Sequence, residues 1–181
     1  MKNRRVIEGF PDDSALVRAL EAKSPDALGE AYRRYGRAVY GVAHRLTGSR
    51  SDAQDVLHDL FVGLPDAVRS FERRGSFEGW LKRIAARMAL ARTRAQARRA
   101  GIPLHSVGVP PGRPETDGTL DRVTLEKALL TLSPSLREVF LLREVEGFTH
   151  REVASLLGIE EGASKVRLHR AKRALRDKLR G

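Results

Sequence analysis

Apolar residues recur along this chain at steps of three and four and almost never at two, which is the period of an amphipathic helix and not of a strand. Leu16, Ala19 and Leu20 mark a short first helix opened by Asp12-Asp13-Ser14. Ser24 sets a capping hydroxyl before Pro25 at a first helical position, and Leu28, Tyr32, Tyr35, Val39, Ala43 and Leu46 then share one face up to Gly48. Ser51-Asp52-Ala53-Gln54 has the form of a capping box. It predicts a helix with Val56, Leu57, Leu60, Phe61 and Leu64 inside, stopped by Pro65. Ser76 opens another, with Phe77, Leu81, Ile84 and Met88 as its inward row. The pattern resumes at Val123, Leu125, Leu129 and Leu132, and Ser133-Pro134 starts a helix through Leu136, Val139, Phe140 and Leu142 toward Gly147.

The last thirty residues carry the sharpest signal. Thr149-His150-Arg151-Glu152 is a capping box, Val153, Ala154 and Leu157 follow on one face, and Gly158 stands where a helix ends in a left-handed residue. Ile159 packs under the corner, and after Glu160-Glu161-Gly162 the inward row is Leu168, Ala171 and Leu175. A short helix, a glycine corner and a long basic helix are the parts of a helix-turn-helix, whose second helix enters the major groove by its first two turns. A solvated basic face on a helical hairpin is the bland alternative. The capping box and the small Ala154 at the helix crossing weigh against it.

Residues 101 to 119 lose all periodicity, with Gly101, Pro103, Gly108, Pro110, Pro111, Gly112, Pro114 and Gly118 spaced through them, and read as a linker. The expected fold is therefore all-α. A tail (1–10) precedes a helical domain (11–100), the flexible linker (101–119) and a second helical domain (120–181) that contains the helix-turn-helix.

Charge sharpens this picture. The 181 residues carry a formal net charge of +11, which suits a phosphate-bearing partner, nucleic acid or anionic membrane. From Lys82 to Ala100 stand Lys82, Arg83, Arg87, Arg92, Arg94, Arg98 and Arg99 with no acid; from Ala163 onward stand Lys165, Arg167, Arg170, Lys172, Arg173, Arg176, Lys178 and Arg180 against Asp177 alone. Positive charge is thus concentrated on one helix of each domain. The chain has no cysteine, so disulfides, thiolate metal sites and cysteine nucleophiles are excluded. His44, His58, His105, His150 and His169 show no metal-ligand spacing. There is no Gly-rich phosphate loop or nucleophile elbow. No enzyme activity, metal or cofactor is expected. No apolar run is long enough to span a membrane, and Met1-Lys2-Asn3-Arg4-Arg5 lacks the core of a signal peptide, so a cytoplasmic location is expected.

Together these features resemble an RNA polymerase sigma factor of the small extracytoplasmic-function (ECF) type, in the sigma-70 superfamily. Asp52-Ala53-Gln54-Asp55 with Val56 to Phe61 resembles the region 2.2 helix, Phe71 to Ser76 the region 2.3 loop, and Phe77-Glu78-Gly79-Trp80-Leu81 the start of the region 2.4 helix. Leu132-Ser133-Pro134 through Phe140-Leu141 resembles region 4.1, and Gly158-Ile159 through Arg167-Leu168-His169-Arg170-Ala171 resembles region 4.2. The resemblance implies a first domain that grips the beta-prime clamp helices of core RNA polymerase through Asp52, Asp55, His58 and Asp59. That domain would recognise and help melt the −10 element, with Arg83, Arg87 and Arg94 on phosphates and Arg73, Arg74 and Ser76 in a loop for unstacked single-stranded DNA. Phe77 and Trp80 read more readily as core than as base-stacking residues. The second domain would bind the beta flap and double-stranded −35 DNA through Lys165, Val166, His169 and Arg170, with Arg167 and Arg173 beside them. An anti-sigma factor is a further partner the resemblance admits. Ser164 stands where the family has an aliphatic core residue, Val166 where it has a small polar one, and Glu160 where it has a serine cap. A second rotation of the basic helix, with Val166 buried and Ala163 and Arg167 toward the groove, thus stays open. Arg87 and Ala91 replace the usual Asn and Asp, and Pro65 an aromatic.

Three other functions compete with this one. A stand-alone helix-turn-helix regulator accounts for the second domain but not for the acid-free helix of the first. A nuclease would need Asp52, Asp55 and Asp59 as metal ligands, but no further histidine or acid is spaced to complete a site. Membrane binding by the Lys82 to Arg99 helix is disfavoured by its narrow apolar stripe.

Overall fold

A computed structural model describes residues 10–101 and 127–180. All regular structure among the described residues is helical. Helix α1 (Asp13–Glu21) begins where Asp12 accepts a hydrogen bond from the Ala15 N–H at 2.7 Å. Helix α2 (Pro25–Thr47) is capped by Ser24 and ends at Gly48, whose φ of 65° is the left-handed conformation that glycine adopts without a Cβ clash. Helix α3 (Arg50–Ala67) follows after two intervening residues, Gly48 and Ser49. Its cap is Ser49, which accepts from the Asp52 N–H at 3.3 Å, so the capping box expected at Ser51 does not form. Gly48 has already reversed the chain, and extended Ser49 is the first residue placed to meet the free N–H groups. Pro65 does not stop α3 either. It falls in the last turn, where the bond it denies Phe61 is of little consequence, and the chain runs on through a 3-10 turn at Val68–Ser70.

Helix α4 (Phe77–Arg99), capped by Ser76, lies against α2 and α3. Its buried row is Phe77, Leu81, Ala85, Ala86, Ala89, Leu90, Thr93 and Ala97, whereas Ile84 and Met88 are only half-buried. The inward face is thus rotated from the one expected, because alanines bring α4 closer to α2 than bulky side chains would allow. Tyr35, Phe71, Phe77 and Trp80 form one aromatic cluster, with Phe77 and Trp80 stacked at 5.6 Å and Tyr35 edge-on to Phe77 at 5.5 Å. Phe77 and Trp80 are packing residues, as expected.

Beyond the described gap, residues 127–131 are helical, α5 (Pro134–Phe140) continues into a π turn at Leu141–Val145, and α6 (His150–Leu157) and α7 (Glu161–Arg180) form the helix-turn-helix. Arg137 is buried and donates to the carbonyls of Leu129, Leu130 and Leu132 at 2.8 to 2.9 Å. A guanidinium at a helix C-terminus satisfies carbonyls that no N–H can reach. Nothing in the apolar pattern pointed to it.

Among the described residues, the apolar contacts run on between the two domains: Leu141, Leu142, Phe148, Val153, Leu156 and Leu168 join the apolar cluster of α1 to α4, and Ala128, Leu132, Ala171 and Leu175 form a second one. The tail up to residue 9, the linker from 102 onward and the expected helix start at Val123 lie outside the described residues. Half-buried Glu138 on α5 sits in this junction, where burial pushes its carboxyl up to about 7 against the attraction of Arg94 from α4 and Arg167 from α7.

That shift sets a pH dependence. A carboxyl raised above its ordinary value contributes stability that is complete below about 4.5 and is lost as pH rises through about 7. Glu138→Gln, which cannot ionise, is expected to melt higher than the wild type at pH 8 and alongside it at pH 4, by thermal denaturation. An equal offset at both values would show that the carboxyl is not held protonated.

Candidate nucleic-acid interface

The helix-turn-helix is built by local bonds that its sequence spells out. Thr149 Oγ1 accepts from the Glu152 N–H at 3.2 Å, and Glu152 Oε2 accepts from the Thr149 N–H at 2.9 Å. Burial opposes ionisation of Glu152, yet these bonds together with Arg83 hold its pKa below the ordinary value. Gly158 ends α6 at φ 67°, and α7 sets off across it.

The rotation of α7 is fixed by a polar pair. Ser164 is completely buried, with its Oγ 3.0 Å from His150 Nδ1 on α6, while Leu168, Ala171 and Leu175 continue the buried row. Burial, reinforced by Arg143 and Lys165, lowers the His150 pKa, which favours a neutral ring able to share a proton with the serine hydroxyl. The opposite face exposes Lys165, Val166, His169, Arg170 and Arg173, with Val166 51% exposed. Arg167 is half-buried and turned toward Glu138. The rotation that buries Val166 is not the one adopted. Serine is accepted at an aliphatic position because His150 supplies the hydrogen bond that a buried hydroxyl requires.

On the other cationic helix, α4, the site residues divide. Arg87 is exposed. Arg83 pairs with Glu152 at 2.6 Å, and Arg94 reaches the carbonyls of Leu156 and Leu157 at 3.5 and 3.4 Å. Lys82 meets Glu146, at 3.0 Å to its carboxylate and 2.9 Å to its carbonyl. Three of the cations of α4, Lys82, Arg83 and Arg94, therefore reach the C-terminal half. Arg92 faces the other way, bridging Asp52 at 2.8 Å, Asp55, and Asp59 at 3.9 Å.

These three aspartates form one stripe of α3, as their spacing implies, but they are not equivalent. The side chain of Asp52 is 15% exposed, against 54% and 56% for Asp55 and Asp59. Burial raises the Asp52 pKa, but bonds from Gln96, Arg92 and Ser49 outweigh it and leave the carboxyl below its usual range. Asp52 is thus first a fastener between α3 and α4, while Asp55, His58 and Asp59 present themselves to solvent. Arg92 was legible only as one cation among seven. No group of acids and histidines among the described residues could hold a metal ion.

The loop before α4 makes a cleft of about 120 Å3. Phe71, Arg73, Gly75, Ser76 and Phe77 line one side, and Asp13, Ser14 and Val17 of α1 the other. Arg73 at φ 57° and Gly75 at φ 91° turn the loop sharply enough to open it. Arg74 projects into solvent. The participation of α1 could not be read from sequence, since it depends on how α1 docks. Among the described residues, no helix is long and apolar enough to cross a membrane.

Comparison with known proteins agrees with this geometry. Residues 31–99 match the family Sigma-70 region 2 and residues 122–175 match Sigma-70, region 4. The chain is 32% identical over 157 residues to the ECF RNA polymerase sigma factor SigE of Mycolicibacterium smegmatis, an alignment covering 83% of this chain and 60% of SigE. It is 31% identical over 160 residues to the RNA polymerase sigma factor CarQ of Myxococcus xanthus, covering 85% of this chain and 90% of CarQ. Among solved structures it is similar to the sigma factor RpoE of Bartonella quintana, crystallised with the anti-sigma factor NepR. The TM-score there is 0.62 at 26% identity, over 84% of this chain and 96% of RpoE. With both region matches in order on two cationic helical halves, the chain belongs to the ECF group of the sigma-70 family of RNA polymerase sigma factors.

Proposed function

We propose that this protein docks on core RNA polymerase through the exposed stripe of α3, engages the −10 element with α4 and the loop before it, and reads the −35 element with α7. A sigma factor is a DNA-binding initiation factor and not an enzyme. The observation that carries the assignment is the exposed row Lys165, Val166, His169 and Arg170 on a helix whose opposite side is locked by Ser164 and His150. Such a helix can insert its N-terminal half into a major groove. Arg173 continues that face, and Arg167, turned inward, takes a supporting part. On α4, Arg83, Arg87 and Arg94 serve phosphates. Arg73 and Ser76 border a cleft whose apolar walls and polar rim suit a base taken out of the stack, with Arg74 exposed beside it to meet the backbone.

Asp55, His58 and Asp59 meet the beta-prime clamp helices, Asp52 holding Arg92 behind them, and the second half meets the beta flap. The domain limits are 11–100 and 120–181 around a linker at 101–119, and the protein works in the cytoplasm. The RpoE complex with NepR makes an anti-sigma factor a natural additional partner. Run-off transcription with core polymerase and a genomic library tests the whole reading. Operator binding without polymerase binding would favour a stand-alone regulator.

Exchanging Asp55 and Asp59 for Lys reverses the charge of the docking stripe while Asp52 keeps its bond to Arg92. Affinity for core polymerase in a binding titration is expected to fall about tenfold, roughly 1.4 kcal/mol, with the fold intact by circular dichroism. Undiminished binding would exclude this surface.

Arg87→Ala removes an exposed phosphate partner. Promoter affinity should drop evenly across −10 sequences and the slope against log salt should shrink by about one. A changed −10 preference would instead make Arg87 a reader of bases.

Arg170 can offer a bidentate fork to a guanine edge, so Arg170→Ala should cost roughly 1–3 kcal/mol and relax selection at one base pair. Arg167→Ala should leave the preferred −35 sequence unchanged. Selection on randomised −35 DNA separates the two, and the opposite pattern would assign the groove to the other rotation of α7.

A further inference from the structure

The two ends of α7 are held by different physics. Its inward row is Ser164, Leu168, Ala171 and Leu175. Leu168 packs into the apolar cluster shared with α1 to α4, and Ala171 and Leu175 pack with Ala128 and Leu132, so the middle and far part of the helix rest on apolar burial. The first turn does not. There the buried member of the row is a hydroxyl, Ser164 at 0% exposure, and it meets Nδ1 of His150 on the first turn of α6 at 3.0 Å. Ala163 beside it is only half-buried. Lys165 and Val166 follow immediately and are exposed, with Lys165 paired to Glu161 at 2.8 Å. The end of α7 suited to a groove thus leans on one hydrogen bond between helices.

His150 also differs from the cations around it. Burial, Arg143 and Lys165 lower its pKa against the opposite pull of Glu161 and Glu144. A neutral imidazole shares a proton well with a hydroxyl and brings no charge to a phosphate. Its chemistry therefore points inward.

We propose that His150 is a positioning residue for −35 recognition: through Nδ1 and the Ser164 hydroxyl it holds the first turn of α7 on α6 and so aims Lys165 and Val166 at their base pairs. This role rests on the assignment of α7 to the −35 element. A buried hydroxyl stripped of its partner carries an unrelieved desolvation cost, so without the imidazole Ser164 turns toward water and the first turn moves with it. A reading side chain needs its place to within roughly half an ångström, which such a movement exceeds. Arg170 and Arg173 lie beyond Leu168 and keep their footing. Specificity is thereby divided along one helix, the base pairs met by Lys165 and Val166 depending on His150 and the pair met by Arg170 not.

The test uses the full chain, with selection on randomised −35 DNA and amide hydrogen exchange measured side by side. Thr149 and Glu152, which cap α6, are untouched by any variant. In His150→Ala the amides of Ser164 to Val166 should exchange about tenfold faster, with those from Leu168 to Leu175 unchanged. Selection should relax at the base pairs nearest Lys165 and Val166 and persist at the one met by Arg170. His150→Asn, whose amide reaches the place of Nδ1, should restore both readouts, and His150→Gln, whose amide falls nearer Nε2, should not. His150→Leu/Ser164→Val exchanges the hydrogen bond for an apolar contact and should also restore selection, an outcome that direct contact of His150 with DNA would not give. If His150→Ala does not fold, the contrast between Asn and Gln decides. Unchanged selection in His150→Gln overturns the proposal. So does an affinity loss equal across all −35 sequences with a shallower slope against log salt, which would make His150 a phosphate contact. The assignment of α7 fails separately, as a parent protein that selects no −35 sequence while its exchange pattern is as expected. Faster exchange spread evenly along α7 would instead overturn the hold of His150.

Discussion

The structure hangs on the double duty of α4. One face is a row of alanines with Phe77, Leu81 and Leu90, and it sits close to α2 because those side chains are small. The other faces carry seven cations from Lys82 onward, against the single acid Glu78 in the first turn. A helix cannot hold that much like charge beside a low-dielectric core without anions from elsewhere. Each flank of α4 has found them. Asp52, Asp55 and Asp59 answer Arg92 on one side, and Glu146 and Glu152 answer Lys82 and Arg83 on the other.

This requirement ties fold to function. The same cations that suit a phosphate backbone are the ones that clasp the C-terminal half, so stability of the chain alone and affinity for DNA draw on one set of groups. The apolar junction makes the clasp possible. Leu142, Phe148, Val153 and Leu156 extend the α1 to α4 core, excluding water from Glu146 and strengthening its pairs.

The helix-turn-helix shows a different economy, in which nearly everything is local. Its cap, its corner and its buried row lie within thirty residues, and each is specified by a residue type with one conformational preference: Thr149, Glu152, Gly158, Ala171. The buried Ser164 is the exception. A hydroxyl at an aliphatic position left the rotation of α7 ambiguous in sequence. The partner that resolves it, His150, stands fourteen residues away on the preceding helix.

Among the described residues, helix order and polarity, most of the glycine and serine punctuation and the two cationic helices were legible in the sequence, because each depends on residues within a few turns of one another. So was the family, carried by motifs that are themselves local. The local pattern puts the cap of α3 at Ser51 and a stop at Pro65, whereas the cap is Ser49 and the helix runs past Pro65, since neighbouring helix ends compete for the same free N–H groups and a proline in a last turn does little harm. The stripe of aspartates was visible but its division was not, because Asp52 is buried by α4 and not by anything on α3. Arg137, the α1 wall of the loop cleft and the pairing of Glu146 and Glu152 with α4 went unseen for the same reason. Spacing along a helix determines which residues share a face, and only the packing of helices distant in sequence decides which charges on those faces are left free for a partner.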